Sequence, residues 1–404
     1  MTVRLEKITA HYAALLSTRR GRILIALTTT IISIFVFLNR TKDYGQEPVT
    51  FAHTSSVKET DTDWSRFAYT QYVTHSEYLC TAVMLLERLY HLRSRADRVL
   101  MYPAKMLPDP NDFDGGGFHD GELLVKARDE YGVKLVPIEV QHKDTVDDTW
   151  ANSYTKLLAF NQTQYERVIT IDSDTTLLKH MDELFHLPPC PIAMPRAYWL
   201  QGNETCRMTL ASHVMVIQPS EQEFGRIQKR IQLAGEDEYD MELLNKIYMD
   251  TAMVLPHRPY TMISSEFRKT DHHLYLGSDT EEWDPLAMLS EVKTIHFSDY
   301  PVPKPWKKHL TMDDQENMIK MEPKCEMKKK KDNDGDDKED CSGRDIWREL
   351  YADFRERKAT ICAKKVWRKF EDVKFETPKS TDPEGIIPIP HVEQDDDMPI
   401  FLSR

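Results

Sequence analysis

The segment Arg167 to Asp174, R-V-I-T-I-D-S-D, constrains this chain more than any other, because an apolar run ends on two aspartates one residue apart. A run rich in Val, Ile and Thr predicts a buried strand, and alternation along an extended chain points Asp172 and Asp174 to the same side. Two carboxylates therefore meet at a strand's carboxyl end, where open α/β sheets bind their ligands. With no basic neighbour on the strand tip, the pair is a seat for a hard divalent cation. The same spacing recurs at Asp61/Asp63, Asp112/Asp114, Asp332/Asp334, Asp334/Asp336 and Asp395/Asp397, but only the pair at 172 and 174 closes an apolar run.

Short apolar strands alternate with amphipathic helices from about Arg66 onward. The expected strands are Phe67 to Val73, Arg98 to Tyr102, Val133 to Ile138, Val168 to Ile171, Ala211 to Gln218 and Val292 to Phe297. The expected helices are Glu77 to Leu92, Gly121 to Tyr131, Tyr154 to Phe160, Ser220 to Leu233 and Met241 to Met249. Alternation of this kind predicts an α/β fold with a mostly parallel, Rossmann-like sheet flanked by helices.

The ends are of another kind. Ile23 to Leu38 is almost wholly apolar, and its sixteen residues would reach roughly 24 Å as a helix. Snorkelling Arg22 and local thinning can cover the shortfall from a ~30 Å hydrocarbon core. No small-x-small site follows, so a signal anchor is preferred to a cleaved signal peptide. Arg19, Arg20 and Arg22 weight the N-terminal flank and place residues beyond 40 in a lumen, a single-pass type II layout.

The expected organisation is a cytosolic tail (1–22), an anchor (23–38), a polar stem (39–65), an α/β domain (66–320), a charged flexible insertion (321–344), a C-terminal helical segment (345–374) and a disordered tail (375–404). Ile346, Leu350 and Phe354 share one helical face in the penultimate segment.

A net charge of -13 argues against a nucleic-acid partner, which needs a basic face to displace counterions. The six cysteines lack zinc-knuckle spacing. Cys190 with Cys206, or Cys325 with Cys341, would close short loops, whereas Cys80 reads as a buried helix residue. The triplets Asn161-Gln-Thr163 and Asn203-Glu-Thr205 suit a lumenal chain.

Three other segments gain meaning beside Asp172 and Asp174. His296 to Trp306, H-F-S-D-Y-P-V-P-K-P-W, delivers from a strand an imidazole able to complete a site for Mn2+, and from a proline-stiffened turn Lys304, able to neutralise phosphate. Tyr154-Thr155-Lys156-Leu157 carries a lysine that could approach a sugar or phosphate oxygen. Asp240-Met241-Glu242-Leu243-Leu244-Asn245 opens a helix with acids that would otherwise only complement its dipole.

Together these residues resemble glycosyltransferase family 8, the glycogenin and galactosyltransferase-like group, over roughly residues 67 to 306. Its T-K-L helix leading into Q-Y-x-(K/R)-V-x-x-x-D-x-D is matched by Thr155-Lys156-Leu157, Gln164-Tyr165-Glu166-Arg167-Val168 and Asp172-Ser173-Asp174. Its D-Q-G-L-L-N becomes Asp240-Met241-Glu242-Leu243-Leu244-Asn245, with Met241 in place of the glutamine, and its closing H-F-x-G-x-x-K-P-W appears at His296 to Trp306, here two residues longer and without the glycine. Its N-S-G strand entrance reads Ala211-Ser212-His213. The closing spacing, with a type II anchor, looks closer to the fungal Golgi N-acetylglucosaminyltransferases related to this family.

The resemblance implies a GT-A type nucleotide-diphospho-sugar transferase fold, a Golgi membrane location and transfer of a sugar, GlcNAc as best choice and glucose or galactose as alternatives, from a UDP-sugar donor to a glycan or glycoprotein acceptor with retention. It implies Asp172, Asp174 and His296 as ligands of Mn2+, Tyr78, Lys156, Lys304 and Asp172 on the donor, and Asp240 with Lys156 in catalysis. A nucleotidyltransferase would also place Asp-x-Asp beside a phosphate, and a sugar-binding module without turnover would keep the same fold.

Overall fold

The computed structural model describes residues 62–144, 151–202, 208–307, 309–328 and 338–363. The expected cytosolic tail, anchor, most of the stem, the sequon at Asn203 and the tail beyond 363 lie outside the described residues. Among those described, no helix is long and apolar enough to cross a membrane. Asn161 and Thr163 are exposed.

Four apolar runs form the parallel half of a seven-stranded sheet: β1 (Phe67–Tyr72), β2 (Asp97–Pro103), β3 (Val133–Ile138) and β4 (Arg167–Ile171). Parallel neighbours need a crossover, supplied by α1 (Ser76–His91) and α2 (His119–Tyr131). Gly132, at φ 62°, ends α2 in the left-handed conformation that lets the chain turn at once into β3.

Side chains alternate across the sheet, so Ile169 and Ile171 join one core with Tyr69 and the inner face of α1, while Val168 joins the other with Ala68 and Met101. The spatial order is β3-β2-β1-β4, with β4 pairing β1 on the side opposite β2. Chain progression therefore reverses between β1 and β4, and their carboxyl ends flank the crevice that such a switch point opens.

Beyond β4 the sheet is mixed rather than uniformly parallel. β6 (Ile192–Pro195), β7 (Val214–Ile217) and β8 (Met253–Leu255) complete the order β4-β7-β6-β8, and β7 runs antiparallel to β4 with Val214 opposite Ile171. That direction brings the residues just before β7 to the tip of β4. A second sheet joins β5 (Thr175–Leu177), β9 (Met262–Ile263) and β10 (Thr294–His296), and its antiparallel register sets His296 opposite Thr175.

Several expected boundaries shift. Tyr154 to Phe160 lies in a 3-10 helix (Ser153–Asn161) rather than an α-helix, and the strands expected at 211–218 and 292–297 shrink to four and three residues. The 321–344 segment, expected to be flexible throughout, contains paired strands β11 (Glu326–Lys328) and β12 (Lys338–Asp340) clasped by a Cys325–Cys341 disulfide. The remaining α-helices of seven or more residues among the described ones are α3 (Glu221–Gln232), α4 (Asp240–Tyr248), α5 (Pro285–Glu291), α6 (Met312–Lys320) and α7 (Ser342–Ile361).

Helix α7 starts three residues earlier than expected and buries Ile346, Trp347, Leu350, Tyr351 and Phe354. Cys80, expected to be a simple core residue, is bonded to Cys362 across a sequence separation of 282, so α1 and the end of α7 are covalently joined. Cys190 has no disulfide partner among the described residues, and Cys206, with which a short loop was expected, lies outside them.

Candidate functional site

Asp172 and Asp174 leave the tip of β4, and the main chain on either side holds them there. The Asp172 N–H donates to the His213 carbonyl at 2.9 Å, and the Phe297 N–H donates to the Asp174 carbonyl at 2.9 Å. These bonds follow from the antiparallel approach of the β7 entrance and from the pairing of β10 with β5. The imidazole of His296 reaches Asp174, Nε2 to Oδ1 at 3.1 Å. One donor atom from each of Asp172, Asp174 and His296 can be chosen so that all lie within 4.8 Å of one another.

Two lysines balance these acids. Lys156, 3% exposed, lies 2.8 Å from Asp172 Oδ1 and 2.9 Å from Asp240 Oδ2, joining the 3-10 helix, β4 and the first turn of α4. Asp240 Oδ2 also accepts the Ser212 hydroxyl at 2.7 Å. Lys304 lies 2.9 Å from Asp174 Oδ2 and also donates to the Phe297 carbonyl.

Burial disfavours every charge here, and the partners decide the outcome. Burial lifts Asp172 above the usual carboxylate range; Lys156 opposes the rise, and Asp174 and Asp240 add to it. Burial also acts to raise Asp174, but His296 and Lys304 overcome it and hold that carboxyl well below its ordinary value. Desolvation works against the Lys156 ammonium, yet Asp172 and Asp240 keep it charged.

The donor set fits a divalent cation: two carboxylates and an imidazole are the oxygen and nitrogen ligands that Mn2+ accepts. A buried Nδ1 on His296 finds no hydrogen-bond partner among the described residues, so the ring keeps one nitrogen for a further partner. Three carboxylates face two ammoniums, leaving net negative charge for a cation to neutralise.

No family model matches the chain. Glucose N-acetyltransferase 1 of Gibberella zeae is 52% identical over 301 residues, covering 74% of this chain and 63% of that protein. Glucose N-acetyltransferase 1 of Aspergillus fumigatus is 43% identical over 352 residues, covering 83% of this chain and 87% of that protein. This chain belongs to the glucose N-acetyltransferase 1 family. The chain thus spans less than two thirds of the Gibberella zeae member of that family and most of the Aspergillus fumigatus one. Among solved structures, the apo bifunctional glycosyltransferase WbbM shows 15% identity and a TM-score of 0.45, covering 74% of this chain and 52% of that one.

In this glucose N-acetyltransferase 1 family chain the candidate site residues Asp172, Asp174, His296, Lys156, Asp240, Lys304 and Tyr78 lie in or beside the cluster. Tyr78 sits on the first turn of α1 with its ring 6.1 Å from that of Trp306, and burial followed by the Asp174 charge raises its phenol above the usual range. Asn245, the last residue of D-M-E-L-L-N, has a scaffolding role: its amide exchanges two 2.8 Å hydrogen bonds with the main chain of Leu210, fixing the approach to Ser212 and His213.

The sequence reading missed the Ser212 bond to Asp240. It also missed Tyr72, at the tip of β1, whose phenol burial pushes well above its usual range, with Lys156 opposing and Asp172 and Asp240 adding. Strand order was the signal for Tyr72, since β1 and β4 are neighbours. The backing of the site by α7 was missed as well: Trp347 Nε1 donates to Asp299 at 2.8 Å, and the Phe297 ring packs on Tyr351 and Phe354 at 5.2 and 5.1 Å.

Proposed function

We propose that this chain is a GT-A type glycosyltransferase related to family 8, moving N-acetylglucosamine from UDP-GlcNAc to a glycan acceptor with retention in the Golgi lumen, held there by a type II anchor at 23–38. One observation carries the reading: Asp172, Asp174 and His296 converge at the switch point of the sheet. Mn2+ held by these three would supply the positive charge that a leaving diphosphate needs.

The chain's own groups do the rest. Lys304, on its proline-stiffened turn, adds a fixed positive charge beside the same oxygens. Lys156, locked between Asp172 and Asp240, presents a pre-aligned donor to the sugar nucleotide without the entropy cost of a free lysine. Asp240, held by Ser212, faces the sugar ring and stabilises positive charge developing at the anomeric carbon. Tyr78 and Trp306 wall the edge where a uracil ring would lie. The anomeric C–O bond to the diphosphate breaks as the acceptor oxygen bonds the same carbon from the same face, and the hydroxyl proton passes to the departing diphosphate oxygen, which gives retention.

Taken literally, the family name describes acetyl transfer to glucose. The acidic site favours transfer of the whole N-acetylglucosamine, because charge in acyl transfer builds on one carbonyl oxygen, which backbone donors can serve without a cation.

Release of UDP by the full chain, measured with UDP-GlcNAc, UDP-glucose and UDP-galactose in Mn2+ and in chelator, tests the reading. Turnover with UDP-GlcNAc that chelator abolishes supports it. Release of CoA from acetyl-CoA, or donor-induced thermal stabilisation without turnover, would sink it.

A further inference from the structure

His213 is the residue of the Ala211-Ser212-His213 entrance that the proposed chemistry leaves unused. Its side chain is buried, and its ring lies flat on the ring of His296, centroids 4.9 Å apart and planes 10° from parallel. Ring Nε2 hydrogen-bonds the hydroxyl of Thr261, itself fully buried immediately before β9. The indole of Trp199 lies 5.5 Å from the same imidazole. At the same time the His213 main-chain carbonyl accepts the Asp172 N–H. A single residue thus touches the acidic strand tip through its backbone and the imidazole of β10 through its ring.

We infer that His213 is a positioning residue for the cation triad: its ring, pinned by Thr261, sets the rotation of the His296 imidazole. An imidazole at the end of a three-residue strand that is tied through Nε2 to Asp174, with Nδ1 unpartnered among the described residues, keeps freedom about its last side-chain torsion, which has a broad, shallow profile. A second flat ring stacked on one face removes that freedom, and the Thr261 bond prevents the pair from turning together. The main-chain bond to Asp172 survives substitution of the side chain, so ring and backbone contributions can be separated. Groups that orient a metal ligand without touching the metal are commonly worth about 10- to 100-fold in affinity.

The inference rests on the metal reading of Asp172, Asp174 and His296, and Mn2+ alone, without donor, is the probe. Free Mn2+ is followed by electron paramagnetic resonance as it is titrated into the full chain, His213→Ala and His213→Phe, with near-ultraviolet circular dichroism as the folding control. The alanine variant is expected to bind about tenfold more weakly, and the phenylalanine variant, which keeps a flat ring but loses the Thr261 bond, to fall between it and the natural chain, about threefold weaker than the latter. In UDP release the alanine variant should need more Mn2+ for half-maximal rate while kcat at saturating Mn2+ stays close to that of the natural chain.

Should the alanine variant not fold, Thr261→Val, which frees the ring without opening a cavity, carries the same test: weaker Mn2+ binding supports the positioning role and unchanged binding overturns it. A folded alanine variant that binds as tightly as the natural chain overturns it too, as does a phenylalanine variant as weak as the alanine one. If the natural chain takes up no Mn2+, the metal site itself fails and this inference fails with it.

Discussion

The Lys156 ammonium meets the Asp172 carboxylate at 2.8 Å with only 4% of the lysine side chain exposed, and its other acidic partner is Asp240 at 2.9 Å. Removing one member of such a cluster strands buried charge on the others. Lys156→Met should therefore cost about 3 kcal/mol of stability and abolish UDP release. Adding Asp240→Asn should restore part of the stability, because the two changes act on one interaction. Urea midpoints of the single and double variants check this.

Asp174 holds both His296 and Lys304, so Asp174→Asn removes a candidate cation ligand and the shared partner of the imidazole and the ammonium together. At a Mn2+ concentration about 100 times the dissociation constant the natural chain should gain about 2.7 kcal/mol. The asparagine variant should gain none. Thermal shift with Mn2+ and with chelator reads the difference directly.

The Cys80–Cys362 bond ties α1, which carries Tyr78, to α7, which backs Phe297. Lys358, near the end of α7, donates to the Trp306 carbonyl at 2.5 Å, extending the tie to the turn that bears Lys304. Cys362→Ser should lower stability by about 3 kcal/mol and raise KM for the donor more than it lowers kcat. Steady-state kinetics beside a denaturation curve tests both halves.

Glu238, at 4% exposure, lies 2.6 Å from both Arg230 and Lys246. Burial acts to raise its carboxyl, but Lys246 and Arg230 outweigh it and hold the group below its ordinary 4.5. A carboxylate depressed in the folded state stabilises it fully above its unfolded pKa, and that contribution is lost as pH falls through the folded value. Glu238→Gln should thus be less stable than the natural chain at neutral pH, with the gap narrowing below about pH 4.5. Melting temperatures from about pH 7 down to about pH 3 check the slope.

The parallel half of the sheet was legible because each strand is a short apolar run bounded by turn residues, and β1 to β4 appear within a residue or two of their expected bounds. The second half was not. Strands of two to four residues such as β5, β8 and β9 carry too little alternation to stand out, and their pairing comes from register with distant segments. The charged stretch after Met321 hid its hairpin for another reason: a disulfide supplies the constraint that hydrophobic patterning lacks.

Local chemistry by itself determined that two carboxylates end an apolar strand, that a lysine precedes them on a helix, and that a histidine and a lysine flank a proline-rich turn. Which of these groups face one another was decided by the tertiary structure. Lys156 joins Asp172 to Asp240, and His213 lies on His296, because β7 runs antiparallel to β4 and β10 pairs with β5. Strand order and register are set by how the whole chain buries its apolar surface, and no window of sequence contains that information.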